Sequence, residues 1–231
     1  MIEATIQLRE VRLAGAGLVS GRIPCPPRLA VKPGQYLLAS APGLPEVLPA
    51  VLFPSQTSGD TILLAPPLPP AWLPGTVLNL RGPFGKGFHL PPAARRMALA
   101  ALDAHPFRLL PLIAPALAQG IEIALFTPLI PPGLPPQVEV LPIQTLPEAP
   151  AWADYLAIDI LQSALSTLPA RLGLKPGRSL ACRAEVLILT AMPCGGTADC
   201  GVCAIKTAAG WRLACKDGPV FDFASLELAS T

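Results

Sequence analysis

Charge is scarce in this chain of 231 residues: Lys and Arg number 17, Asp and Glu 15, together 14%. The net charge is +2 and no long basic run is present, so nucleic-acid binding has no electrostatic support. Long apolar runs are missing as well. Hydrophobic residues make up 52%, yet no stretch of about 20 residues escapes a proline or a charge, as a membrane-crossing helix requires. The best stretch, 107–118, is short and carries Arg108, Pro111 and Pro115. The opening MIEATIQLRE contains Glu3 and Glu10 and no apolar core, so a signal peptide is not expected. Internal repeats are absent. The expectation is a cytoplasmic protein without a membrane span, in a reducing compartment where thiols ligate metals rather than form disulfides.

Proline, by contrast, is abundant at 31 residues, much of it in loops such as APPLPP (65–70) and LIPPGLPP (129–136). Stiff loops lower the entropy of the unfolded chain. Few charges beside many apolar residues imply burial in an oligomeric interface.

Four of the six cysteines, Cys194, Cys200, Cys203 and Cys215, stand in PCGGTADCGVCAIKTAAGWRLACKDGPVF, residues 193–221. The spacing is C-x5-C-x2-C-x11-C. Three thiols within ten residues and a fourth one short hairpin later can converge on a metal. Plant-type 2Fe-2S ferredoxins use C-x4-C-x2-C with a distant fourth cysteine, one residue shorter in the first gap. Structural zinc sites use two short hooks, whereas this run has one, Cys200–Cys203. The three-plus-one layout favours the cluster, with zinc and free thiols as alternatives. Gly195, Gly196 and Gly201 permit tight loops and close approach of N–H groups to sulfide.

The chain divides into three parts. Residues 1–92 read as short strands, at 4–12, 36–39, 61–65 and 76–81. Turn signals separate them at Pro33-Gly34, Ser58-Gly59-Asp60, Pro74-Gly75 and Gly82-Pro83, the pattern of a small antiparallel β-barrel. Residues 93–190 alternate buried-type strands at 97–102, 121–127, 138–141, 155–160 and 185–190 with helices expected at 107–119 and 160–172, ended by Gly120 and Gly173. This is the signature of a parallel sheet in a nucleotide-binding-type α/β domain. Residues 191–231 form the cysteine-bearing tail. The fold class is thus a multidomain α+β and α/β chain.

Three segments carry a resemblance to one family: Pro33-Gly34-Gln35-Tyr36, then Gly82-Pro83-Phe84-Gly85-Lys86-Gly87-Phe88, then Cys215-Lys216-Asp217-Gly218-Pro219-Val220-Phe221. In order along the chain they resemble the electron transfer subunit of dihydroorotate dehydrogenase type B, a ferredoxin reductase-like iron–sulfur flavoprotein. The last segment matches that family's CKDGPVF tail. The resemblance implies that Cys194, Cys200, Cys203 and Cys215 ligate a 2Fe-2S cluster. It also implies a partner, the catalytic dihydroorotate dehydrogenase subunit or another redox flavoprotein, in a hetero-oligomer serving pyrimidine biosynthesis. FAD is implied by the family, but its pyrophosphate-binding strand corresponds to 48–55, and no Lys or Arg lies between Lys32 and Arg81. NAD is not expected. The turn after the first α/β strand, Asp103-Ala104-His105-Pro106-Phe107, has none of the glycines that let a backbone approach phosphate.

The remaining residues have plainer readings. Asp103 is expected to cap the following helix rather than pair with His105 as acid and base. His89 and Lys86 are expected in a solvated loop, and Cys182 in or near the core. Cys25 is remote from the four ligands in sequence. Trp211 either shields the cluster or packs in a hairpin. Lys216 and Asp217 belong to a turn. The sequence assigns no catalytic residue and reads as an electron-transfer subunit. The alternatives are a non-catalytic assembly subunit with a vestigial flavoprotein fold, and a zinc-stabilised module.

Overall fold

A computed structural model describes residues 2–26, 29–44, 48–102, 105–175 and 179–228. The first part forms two four-stranded antiparallel sheets. Its strands are β1 (Ile2–Gln7), β2 (Glu10–Gly15), β3 (Leu18–Pro24), β4 (Tyr36–Ser40), β5 (Ala50–Leu52), β6 (Pro54–Ser58), β7 (Thr61–Leu64) and β8 (Val77–Phe84). One sheet runs β1-β8-β4-β5 and the other β2-β3-β7-β6. Strand periodicity sets the faces: in β8, Leu78 and Leu80 are buried while Val77, Asn79 and Arg81 are exposed. Ile23, Leu37, Leu52, Ile62, Leu64 and Trp72 join them in the barrel core.

The single strand expected over 4–12 is two strands. The break falls at Leu8, a fully buried residue whose N–H donates to Thr76 O at 2.9 Å and whose carbonyl accepts from Gly75 N at 2.7 Å. Those bonds take Leu8 out of the ladder and turn its side chain into the core.

The second part contains β9 (Arg96–Ala101), α1 (Ile113–Ala118), β10 (Glu122–Phe126), β11 (Val138–Leu141), α2 (Ala149–Trp152), β12 (Tyr155–Leu161), α3 (Leu168–Arg171) and β13 (Arg183–Leu189). The tail adds β14 (Ala204–Thr207), β15 (Gly210–Leu213), α4 (Ala214–Asp217) and β16 (Val220–Asp222). The sheet order is β11-β10-β9-β12-β13-β16. Its first five strands are parallel, and β16 pairs antiparallel with β13. The middle strands are buried along nearly their whole length, which explains their continuous apolar sequence.

The helices fall short of their expectations. In place of one helix over 107–119, 3₁₀ turns at Pro106–Arg108 and Leu110–Leu112 precede the six residues of α1. Pro106, Pro111 and Pro115 each lack an N–H, so the α-helical ladder cannot run through. Likewise Ile160 and Leu161 extend β12, a 3₁₀ turn covers Gln162–Thr167, and only Leu168–Arg171 is α-helical. Gly120 and Gly173 do end these segments, at φ 72° and 65°. Asp103, read from sequence as a cap, lies outside the described residues.

Among the described residues, no helix is long and apolar enough to cross a membrane.

Candidate metal centre

The chain leaves β13 and enters a loop dense in left-handed backbone: Gly195, Gly196, Ala198 and Gly201 have φ of 60°, 78°, 69° and 71°. The loop is pressed onto the barrel. A Cβ built on Gly195 would lie 2.9 Å from Pro49 Cγ, and one on Gly196 would lie 3.1 Å from the Tyr36 hydroxyl. Glycine is therefore favoured by φ at both positions, and at Gly195 by space as well. Gly195 N donates to Met192 O at 3.0 Å, and Thr197 Oγ1 donates to Cys194 O at 3.1 Å, which closes the turn carrying the first cysteine.

The hairpin β14–β15 then returns the chain to α4. Ala214 N donates to Cys203 O at 2.9 Å, which holds Cys215 beside Cys203. Cys203 and Cys215 are buried, Cys194 is half-buried and Cys200 is exposed. Cys200 acts on the acidity of Cys194, and Cys203 and Cys194 both act on that of Cys215, so the thiols influence one another electrostatically.

These surroundings split the thiol acidities. Thr197 hydrogen-bonds Cys194 and, with Cys200 and nearby backbone N–H groups, pulls it down to about 6 against the opposing effect of burial. Burial, then the hydrogen bond and charge of Cys203, push Cys215 up to about 12. A thiolate is the ligating form, so Cys194 is poised to ligate at neutral pH. Tyr36 stays protonated: its burial and the neighbouring cysteine charges raise it, so its hydroxyl acts as a donor, to Cys215 O at 3.0 Å.

Among the described residues, no three His, Cys, Asp or Glu side chains converge as a single-ion site requires. All four donors are thiols, and the residues present therefore fit an iron–sulfur cluster.

They do not fit a flavin pyrophosphate. On the expected strand, Phe53 is buried and packs on Tyr36, with ring centroids 5.9 Å apart. Ser55 donates to Leu63 O at 3.2 Å. Arg81, the next cation along, sends its Nη2 to within 3.9 Å of where a Gly195 Cβ would lie, toward the cysteine loop. A cleft of about 490 Å³ between the barrel and the first crossover is lined by Leu13, Ser55, Thr57, Phe107 and Ile113, with Arg12 its one charged lining residue.

The other residues singled out from sequence have plainer surroundings. Cys25 packs at the edge of the barrel core and Cys182 at the edge of the α/β core. The His89 side chain is exposed, with Nδ1 3.3 Å from Glu185 Oε1, and its N–H donates to Glu185 Oε2 at 2.7 Å. Lys86 is exposed. Trp211, at 68% exposure, neither covers buried thiols nor packs a core. Asp217 anchors the hairpin, its Oδ2 accepting from Leu213 N at 3.0 Å. Sequence reasoning passed over Tyr36 as a partner of the cysteine segment, and no local signal marks it.

Residues 190–227 match the family model of the iron–sulfur cluster binding domain of dihydroorotate dehydrogenase B. No curated protein matches the sequence. Among solved structures, the NADH-dependent reduced ferredoxin-NADP oxidoreductase is similar at a TM-score of 0.74 and 14% identity, over 97% of this chain and 90% of that one. Phthalate dioxygenase reductase is similar at 0.52 and 11%, over 96% and 77%. An intact self-sufficient cytochrome P450 monooxygenase is similar at 0.59 and 13%, over 83% of this chain but 28% of that longer one. At such low identities the likeness shows the fold alone, a ferredoxin reductase-like barrel followed by a parallel-sheet domain, as the resemblance implied. The tail match bears out the reading of CKDGPVF.

Proposed function

We propose that this chain, which sets the tail of the dihydroorotate dehydrogenase B iron–sulfur family on a ferredoxin reductase-like fold, is an electron-transfer subunit. Cys194, Cys200, Cys203 and Cys215 hold its 2Fe-2S cluster. The observation that carries this reading is that residues 190–227, which hold all four cysteines, match the iron–sulfur binding family while the rest of the chain has the reductase-like fold. Such a cluster, when bound, supplies one-electron transfer and no substrate chemistry.

The chain's own residues hold and shield the ligands. Tyr36 fixes the Cys215 backbone from the barrel side. Gly195 and Gly196 let the loop lie against Pro49 and Tyr36, which excludes water there. Cys200 stays exposed, as do Val202 and Trp211 in the same tail, which leaves that thiol open to a redox partner. The tail's family favours the catalytic dihydroorotate dehydrogenase subunit as that partner, in pyrimidine synthesis, and another redox flavoprotein suits the same arrangement. A cytoplasmic hetero-oligomer follows, since a reducing compartment keeps the thiols available.

Anaerobic purification with native partners, followed by iron, acid-labile sulfide and flavin analysis, tests the reading. A reducible cluster seen by EPR after dithionite, and electron delivery to the co-purified partner, are expected. Stoichiometric zinc without sulfide would sink the cluster. A cluster that never exchanges electrons with the partner would leave the non-catalytic assembly subunit.

A further inference from the structure

In an open parallel sheet, a dinucleotide lies outside the carboxyl ends of the two strands at which the order of travel reverses. Those strands are β9 and β12. From β9 the chain proceeds outward through β10 and β11, and from β12 it proceeds the other way to β13. At this seam Asp159 is in register with Ala101, and Leu102 N donates to Asp159 O at 3.0 Å.

The crevice is filled from within. Arg108, from the first 3₁₀ turn after β9, donates through Nε to Asp159 Oδ2 at 2.8 Å, and the two side chains are 5% and 2% exposed. Arg171, at the end of α3, donates through Nη1 to Leu102 O at 3.0 Å. His105 is buried next to them, its ring 5.3 Å from that of Phe107. The Arg108 guanidinium is thereby committed to Asp159 inside the protein rather than presented to a pyrophosphate.

Among the described residues of the crossover, donors for an anion are few. The crossover opens with Pro106 in the first turn and no side-chain cap from His105. Pro111 follows in the second turn, and α1 has only six residues. Proline offers no N–H, and so short a helix sums little dipole, so the described part of the crossover, from His105 onward, offers little of the helix N-terminus that holds phosphate elsewhere.

We propose that the Arg108–Asp159 ion pair is the standing occupant of the dinucleotide crevice, so that this chain takes no electrons from a pyridine nucleotide. The α/β domain then serves as the mount for β13 and β16, from which the cysteine loop and hairpin are hung. The inference goes beyond the relay reading: that reading names what the chain carries, and this one excludes one class of donor.

The test titrates the purified full chain with NADH, NADPH and ADP-ribose by calorimetry, with iron measured on the same sample. No saturable heat is expected at up to about 1 mM nucleotide. In parallel, phenylglyoxal modification is mapped by mass spectrometry. The exposed Arg12 and Arg95 should react, while Arg108 stays protected with or without NADH. Saturable micromolar binding would overturn the proposal. So would modification of Arg108 as fast as Arg12, or modification that NADH suppresses. Iron-free protein would count against the relay reading alone, because neither readout needs the cluster.

Discussion

The Tyr36 hydroxyl, on the first strand after the barrel's Pro-Gly turn, donates to the backbone carbonyl of Cys215 at 3.0 Å across 179 positions of sequence. One hydrogen bond thus ties the barrel to the fourth cysteine. Tyr36→Phe leaves that buried carbonyl short of a partner while keeping the ring stack on Phe84. The expected cost is about 1–3 kcal/mol of stability, with faster loss of iron to a chelator. Thermal unfolding and chelation kinetics measure the two effects, and unchanged chelation would deny the bond any role at the site.

The four tail cysteines and the two outlying ones should separate cleanly. Cys203→Ser and Cys215→Ser are expected to abolish iron and sulfide incorporation. Cys25→Ser and Cys182→Ser, at the edges of the two cores, should retain it. Metal analysis of the six single variants decides.

Gly195 and Gly133 both hold a left-handed backbone, at φ 60° and 75°, but a Cβ at Gly195 meets Pro49 whereas one at Gly133 meets nothing within 4 Å. Both alanine variants carry the backbone strain, worth about 1 kcal/mol. Only Gly195→Ala must also push the loop off the barrel. Denaturant titration should rank it as clearly the less stable, and iron content should fall in it alone.

His105 brings a pH dependence of defined sign. Burial first, then the charge of Arg108, lower its pKa to about 4, below the ordinary value of about 6.5. The unfolded chain therefore takes up a proton before the folded one does. The stability that the neutral ring contributes is present above about pH 6.5 and is lost as pH falls toward about 4. Asp154, held low by the Arg95 and Arg96 N–H groups, acts in the same direction at lower pH. Chemical denaturation across that window should show a slope that His105→Phe flattens. An unchanged slope would place the titration elsewhere.

Arg108→Ala removes one guanidinium from the buried Asp159 carboxylate, a loss of up to about 3–5 kcal/mol. Replacing both by apolar residues, Arg108→Met with Asp159→Leu, should recover most of it. Equal losses in the single and double variants would contradict the ion pair's isolation from solvent.

Much of this molecule was legible in one dimension because it depends on local rules. The glycine-punctuated strands of the barrel, the near-continuous apolar strands of the sheet and the cysteine spacing each express a period or a turn that neighbouring residues impose. Helices were read too long because apolar periodicity persists through 106–118 while Pro106, Pro111 and Pro115 remove the N–H groups that a helix needs. β16 was missed as a strand because Val220-Phe221-Asp222 is too short to show alternation. Only its pairing to β13 defines it.

The sequence by itself determined that four thiols would be available within a short span, and that no glycine-rich phosphate loop would follow the first α/β strand. Tertiary structure alone decided which two thiols are buried and that Tyr36 grips Cys215. It also decided that Arg108 and Asp159, 51 residues apart, close the crevice between β9 and β12. Those outcomes depend on which distant surfaces meet and exclude water. Burial and the loss of solvent set them, and neither is written in the spacing of any one segment.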